Sequence, residues 1–145
     1  MQLQTINRTD AEKIFGSHLN NQGAPMTTGY AVCFTTTVAS VDGNKSVLPA
    51  AGQLATFAGI SDSDLADNTV GRYQCYGYTA SVFYAAEATS VSLTAAGHGI
   101  GPGPASLGCQ AKGLSFALGP VVTLESVGAI IRSAGGYIQG FTRAL

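Results

Sequence analysis

Residues 57–78 read FAGISDSDLADNTVGRYQCYGY. Phe57-Ala58-Gly59-Ile60 is a short apolar run, 61–68 are polar and rich in Asp, and 72–78 alternate polar or aromatic side chains with Tyr73, Cys75 and Gly77. A short apolar run bounded by turn residues fits a buried strand, and period-two alternation fits a strand with two unlike faces. The stretch therefore reads as strand, surface loop, strand.

The same texture extends outward in both directions. Residues 30–37 alternate, with Tyr30, Val32 and Phe34 on one face and Ala31 and Cys33 on the other; Asp42-Gly43-Asn44 is a turn, and 46–48 form a strand that stops at Pro49. Further strands are expected over 80–85, 90–93, 121–124 and 129–132, with a last one over 137–143 after Gly135-Gly136. Between them, 95–104 (AAGHGIGPGP) is expected to be neither helix nor interior strand, because Gly raises chain entropy and Pro removes a donor. Near the start, Thr9-Asp10-Ala11-Glu12 has the form of a capping box. Ala11, Ile14, Phe15 and Leu19 then share one helical face, which predicts a helix over 10–20 ended by Asn20-Asn21-Gln22-Gly23. The expected fold is mainly β, a compact β-sandwich or barrel of about eight short strands with one short N-terminal helix. A chain of 145 residues fits one domain, placed over 10–145 behind an N-terminal arm, 1–9.

Charged residues make up 10% of the chain, against about 25% in an average soluble domain, and 19 residues are Gly. So neutral a surface suits a protein that covers itself with neighbours; an extracellular β-domain surfaced by Ser, Thr, Asn and Gln is the alternative. The net charge is −1 and the basic residues Arg8, Lys13, Lys45, Arg72, Lys112, Arg132 and Arg143 are scattered, leaving no stripe to neutralise phosphates. Nucleic acid is a poor candidate partner. Apolar runs such as 127–131 fall far short of the ~20 residues of a bilayer crossing, so no membrane is expected. The opening MQLQTINRTD lacks the basic flank and apolar core of a signal peptide, which points to synthesis and use in the cytosol. Cys33, Cys75 and Cys109 are odd in number and form no C-x-x-C, so buried thiols are expected in place of a disulfide or a zinc site.

Chemistry-bearing patterns are few. His18 and His98 have no G-x-S-x-G serine or catalytic cysteine context, and each reads as a surface or capping histidine. Asp62, Asp64 and Asp67 are spaced as in a calcium loop, yet its sixth position, which needs Gly, is Asp67 and its twelfth, which needs a bidentate Glu, is Tyr73. A solvated loop whose Asp and Asn satisfy backbone amides is the plainer reading, with a calcium site of other design left open. The run 97–103 (GHGIGPG) matches neither G-x-G-x-x-G nor a P-loop. It reads as a connection or as a loop packed on a neighbouring subunit. Tyr73, Tyr76, Tyr78, Phe83 and Tyr84 concentrate the aromatics beside a single Arg72, which favours core packing or a subunit interface over base stacking. No catalytic residue, cofactor or metal is expected, and the chain reads as something other than an enzyme.

Residues 57–78, together with Thr27-Thr28-Gly29-Tyr30-Ala31-Val32-Cys33-Phe34 and the terminal Phe141-Thr142-Arg143-Ala144-Leu145, resemble the small capsid decoration (cement) proteins of tailed bacteriophages. The resemblance covers roughly 26–84 and the C-terminus. It implies a compact β-domain, usually a homotrimer, that binds the outer surface of a phage capsid where major capsid protein subunits meet and clamps them against internal pressure. Its place would be the virion's capsid surface, after synthesis in the host cytoplasm. The arm residues Met1, Gln2, Leu3, Gln4, Thr5, Ile6 and Asn7 would then bind the capsid, by adding as a strand to an exposed edge. A tail or other minor virion component is the nearest alternative. A ligand- or carbohydrate-binding β-domain is weakened by the absence of Trp.

Overall fold

Two segments that read as separate strands are one: β5 runs unbroken from Val70 to Tyr84, and the rest of the sheet is hung on it. In the computed structural model, which describes residues 12–35, 44–47, 56–85, 96, 99–103, 108–111, 120–124 and 135–144, the strands are β1 (Ile14–Asn20), β2 (Ala31–Phe34), β3 (Lys45–Val47), β4 (Phe57–Ser61), β5 (Val70–Tyr84), β6 (Gly99–Pro102), β7 (Cys109–Ala111), β8 (Val121–Thr123) and β9 (Gly136–Arg143). All nine belong to one hydrogen-bonded sheet, and no α-helix occurs among the described residues.

The pairing closes on itself twice. β1, β3, β2, β4 and β5 form one circuit, with β1 returning to β5 from Ile14↔Tyr76 to Leu19↔Val70. β5, β7, β6, β8 and β9 form the other, with β9 lying along β5 from Tyr76↔Arg143 to Tyr84↔Gly136. Each described strand thus has at least two hydrogen-bonded neighbours and β5 has four, although the β1–β3 and β5–β7 joins are short, at two pairs and one.

The strand patterns explain the layering. Ala31 and Cys33 of β2 join Phe57, Ile60, Val82, Tyr84, Ile100, Cys109, Val121 and Ile138 in the larger apolar core. Val32, on the other side of the same strand, packs with Met26 and Ala58 under Tyr30, Phe34, Leu65 and Tyr73. β2 and β4 form a wall between two apolar clusters, so β4 is buried at all five positions, as its continuous apolar run requires. Cys33, Cys75 and Cys109 are buried thiols, as expected.

Two expectations are corrected. Within the helix expected over 10–20, the described part is strand β1, and its supposed apolar face is the outer one: Ile14 is 40% and Phe15 37% exposed, while His18 and Asn20 are buried at 1% and 0%. Helical periodicity in a short segment is a weak preference that the ladder offered by β5 overrides. The second is 99–102, which forms β6, buried at each position and lying between β7 and β8. Pro102 ends the strand, and a Cβ on the next residue, Gly103, would overlap the Gln110 side chain. The arm 1–9, the strands expected over 90–93 and 129–132, and His98 lie outside the described residues.

Candidate functional site

The feature of β5 that shapes the outer surface is a bulge. Thr79 pairs with Gly140 and Val82 with Ile138, so Ala80 and Ser81 stand opposite the single residue Gln139. One extra residue resets the alternation: Thr79 and Val82 both point inward, and the outer face resumes at Phe83. Directly opposed residues share a face, so the pairs Tyr76↔Arg143, Tyr78↔Phe141 and Phe83↔Tyr137 line the outside of the β5–β9 ribbon. Their rings touch. Tyr76 meets Phe141 edge-on at 5.2 Å between centroids, Phe83 meets Tyr137 at 5.4 Å and Tyr30 at 5.2 Å. Tyr137 is 47% exposed, and the Lys13 ammonium lies 5.8 Å from the Tyr78 ring. Burial raises the Tyr137 hydroxyl above its ordinary range, with Tyr30 and Asp64 adding to the effect.

Beside the bulge lies a groove of about 170 Å³, lined by Lys13, Thr28, Asp62, Gln74, Ala80 and Ser81 among others. Most of its polar groups serve the fold. The buried Gln74 amide donates to the Tyr76 and Tyr78 carbonyls at 3.2 and 3.0 Å. Asp62 pairs with Arg72, whose guanidinium lies 4.5 Å over the Phe15 ring. Ser61 donates to the Ser63 carbonyl at 2.9 Å.

The three loop aspartates do not converge. Asp62 takes Arg72, Asp64 takes the Thr28 amide at 2.7 Å and its hydroxyl at 3.0 Å, and Asp67 takes the Gly23 amide at 2.9 Å. Asp64 and Asp67 thus satisfy backbone amides, as expected of the loop, whereas Asp62 takes a side chain; among the described residues no trio of His, Cys, Asp or Glu is placed to hold a metal. Asn20 ties the same two segments from below, donating to Ala24 and Ala66 carbonyls at 2.9 and 3.2 Å.

His18 is the histidine that sequence reasoning misplaced. Its Nδ1 is 2.8 Å from Ser46 Oγ, and both residues are buried. Since the Ser46 hydroxyl donates to the Leu19 carbonyl at 3.2 Å, its single proton is spent and the imidazole must be the donor between them. A serine whose proton is committed to the backbone in a closed core is not positioned as a nucleophile. Only the alternation of β1 could have signalled that position 18 points inward. The quintet of rings also divides: Tyr73 and Tyr84 pack in the two cores, while Tyr76, Tyr78 and Phe83 face out. The expected capsid-binding residues 1–7 lie outside the described residues. Comparison with models of protein families and with curated proteins finds no match to this chain.

Proposed function

We propose that this chain is a structural virion protein, a decoration protein that binds the outer surface of a phage capsid as a homotrimer and stabilises the mature head. The observation that carries the reading is the outer face of the β5–β9 ribbon, where Tyr76, Tyr78, Phe83, Tyr137 and Phe141 form an aromatic surface with Lys13 and Arg143 at one end. Aromatic side chains are enriched at the centres of protein interfaces, and charged ones depleted. With each described strand already joined to at least two neighbours, contacts with further copies fall mainly to faces and loops of a compact sandwich- or barrel-like body. The resemblance of 26–84 and the C-terminus to cement proteins supplies the partner, the major capsid protein, and the arm 1–7 is its proposed contact.

Each copy is expected to bury at least ~1,000 Å² on the capsid, and binding that prefers the mature lattice stabilises it through linkage. The test is thermal release of DNA from particles with and without this protein. Stripped capsids are expected to lose DNA at lower temperature and to recover when the protein is added back; removing residues 1–7 is expected to weaken attachment more than folding. If stripped and decorated particles melt alike, the cement role fails and a tail component becomes the better reading.

A further inference from the structure

The seam between β1 and β3 closes the first strand circuit, and it is thin. Among the described residues, Leu19↔Lys45 and Asn20↔Ser46 are the pairs there, reinforced by Leu19 N–H donating to Asn44 O at 2.7 Å and Asn21 N–H to Ser46 O at 3.0 Å. The His18 and Ser46 side chains meet across it. Because Nδ1 carries the proton of the neutral ring, Nε2 is an unprotonated nitrogen, and it is buried with no hydrogen-bond partner.

We propose that this seam is an acid-sensitive latch, which opens when His18 is protonated while the β5–β9 half of the sheet stays paired. A proton on Nε2 turns a tolerated lone pair into a buried cationic donor with no acceptor, a state water relieves and the core does not. Among the described residues, none shown against the imidazole supplies a counter-charge. From β5 the Tyr73 ring meets the imidazole at 75° and 5.7 Å, and it is the titratable group shown against it; Arg72 beside it is exposed and held by Asp62. On β3 the neighbour is the neutral Ser46, with Lys45 at the alternate position along the strand. Asp64 and Asp67 are turned to Thr28 and Gly23. Burial is accordingly what lowers the His18 pKa from its ordinary 6.5.

The sign follows from linkage. The open state binds the proton at the ordinary value and the closed state only below it, so the seam is unaffected above pH 6.5 and weakens as pH falls, levelling off beneath the lowered value. Well within that window the opening equilibrium rises about tenfold per pH unit for one proton.

Amide hydrogen exchange on the full chain, corrected for intrinsic rates, tests this across neutral to mildly acidic pH. The Leu19 and Asn21 amides are expected to lose protection with that slope, while Phe83 and Ala144 amides, which bond Gly29 and Cys75 carbonyls, keep theirs. His18→Gln, which cannot titrate, is expected to abolish the slope, and His98→Gln to retain it. Should His18→Gln fail to fold, imidazole NMR on the native chain replaces it: the His18 ring is expected to titrate with the seam amides. Constant seam protection, a slope that survives in His18→Gln, a slope lost in His98→Gln, ring and seam titrating apart, or loss of Phe83 and Ala144 protection in step would each overturn the latch.

Discussion

The Asp64 carboxylate accepts both the backbone amide and the hydroxyl of Thr28, at 2.7 and 3.0 Å, and so fastens the loop between β4 and β5 over the segment that leads into β2. The antiparallel bridge Met26↔Leu65 and the Asp67 contact to Gly23 complete the fastening. The Asp-rich loop is thereby an internal strap.

The Thr28 amide, then its hydroxyl, holds the Asp64 carboxyl below its ordinary 3.8, against a smaller opposing effect of desolvation. A carboxyl depressed in the folded state stabilises above its unfolded value, and that contribution fades as pH falls through the folded one. Asp64→Asn is therefore expected to lower the thermal midpoint modestly at neutral pH and to unfold less steeply in acid below pH 3.8, as read from melts across that range. An unchanged acid limb would show that the strap carries no charge-assisted bond.

Ile100, fully buried in the larger core, tests whether the Gly-Pro segment is structural. Ile100→Ala is expected to cost about 2–5 kcal/mol in urea unfolding, the range for a core truncation. A surface loop would register within about ±0.5 kcal/mol.

Gly77 sits at φ +108°, and a Cβ there would run into the Glu12 carbonyl oxygen. Gly77→Ala is expected to cost ~2 kcal/mol or more, since backbone strain and a backbone clash combine. Gly23→Ala, at φ +80° with nothing near the added carbon, isolates the conformational share and is expected to cost roughly 1 kcal/mol. Equal costs at the two sites would mean that β1 moves aside.

Cys33 and Cys109 are fully buried, whereas Cys75 is 6% exposed and its thiol donates to the Ile14 carbonyl at 3.3 Å near the start of β1. Thiol labelling of the folded protein is expected to be slow throughout and to reach Cys75 first, because fraying at that end of β1 uncovers it. Denaturation without reductant should release three thiols. Prompt labelling of Cys33 would contradict the double-sided burial of β2.

What the sequence made legible were elements whose inward positions are apolar, whether alternating as in β2 or continuous as in β4. β2 was read with both faces correctly assigned, and β4 and the last strand were read to within a residue or so. β1 was illegible because its inward side chains are His18 and Asn20, polar groups that a hydrophobic pattern assigns to solvent. β6 was hidden because glycine marks close packing as well as turns, and the two uses look alike along a chain. β5 was split because the bulge at Ala80 and Ser81 breaks the parity of its pattern without ending the strand. Of the candidate site, the aromatic concentration was visible, but which rings face outward depended on that bulge.

The strand common to both circuits meets its last partner about fifty to seventy residues downstream, in β9. During synthesis, the second circuit cannot close until residue 143 has left the ribosome, so its core has to wait for most of the chain. Such distant pairings make closure slow, since loop entropy is spent before the contacts form. The unpartnered strands of a nascent chain are the period of greatest exposure to aggregation. Exposure is therefore most hazardous before β9 arrives and pairs with both β5 and β8.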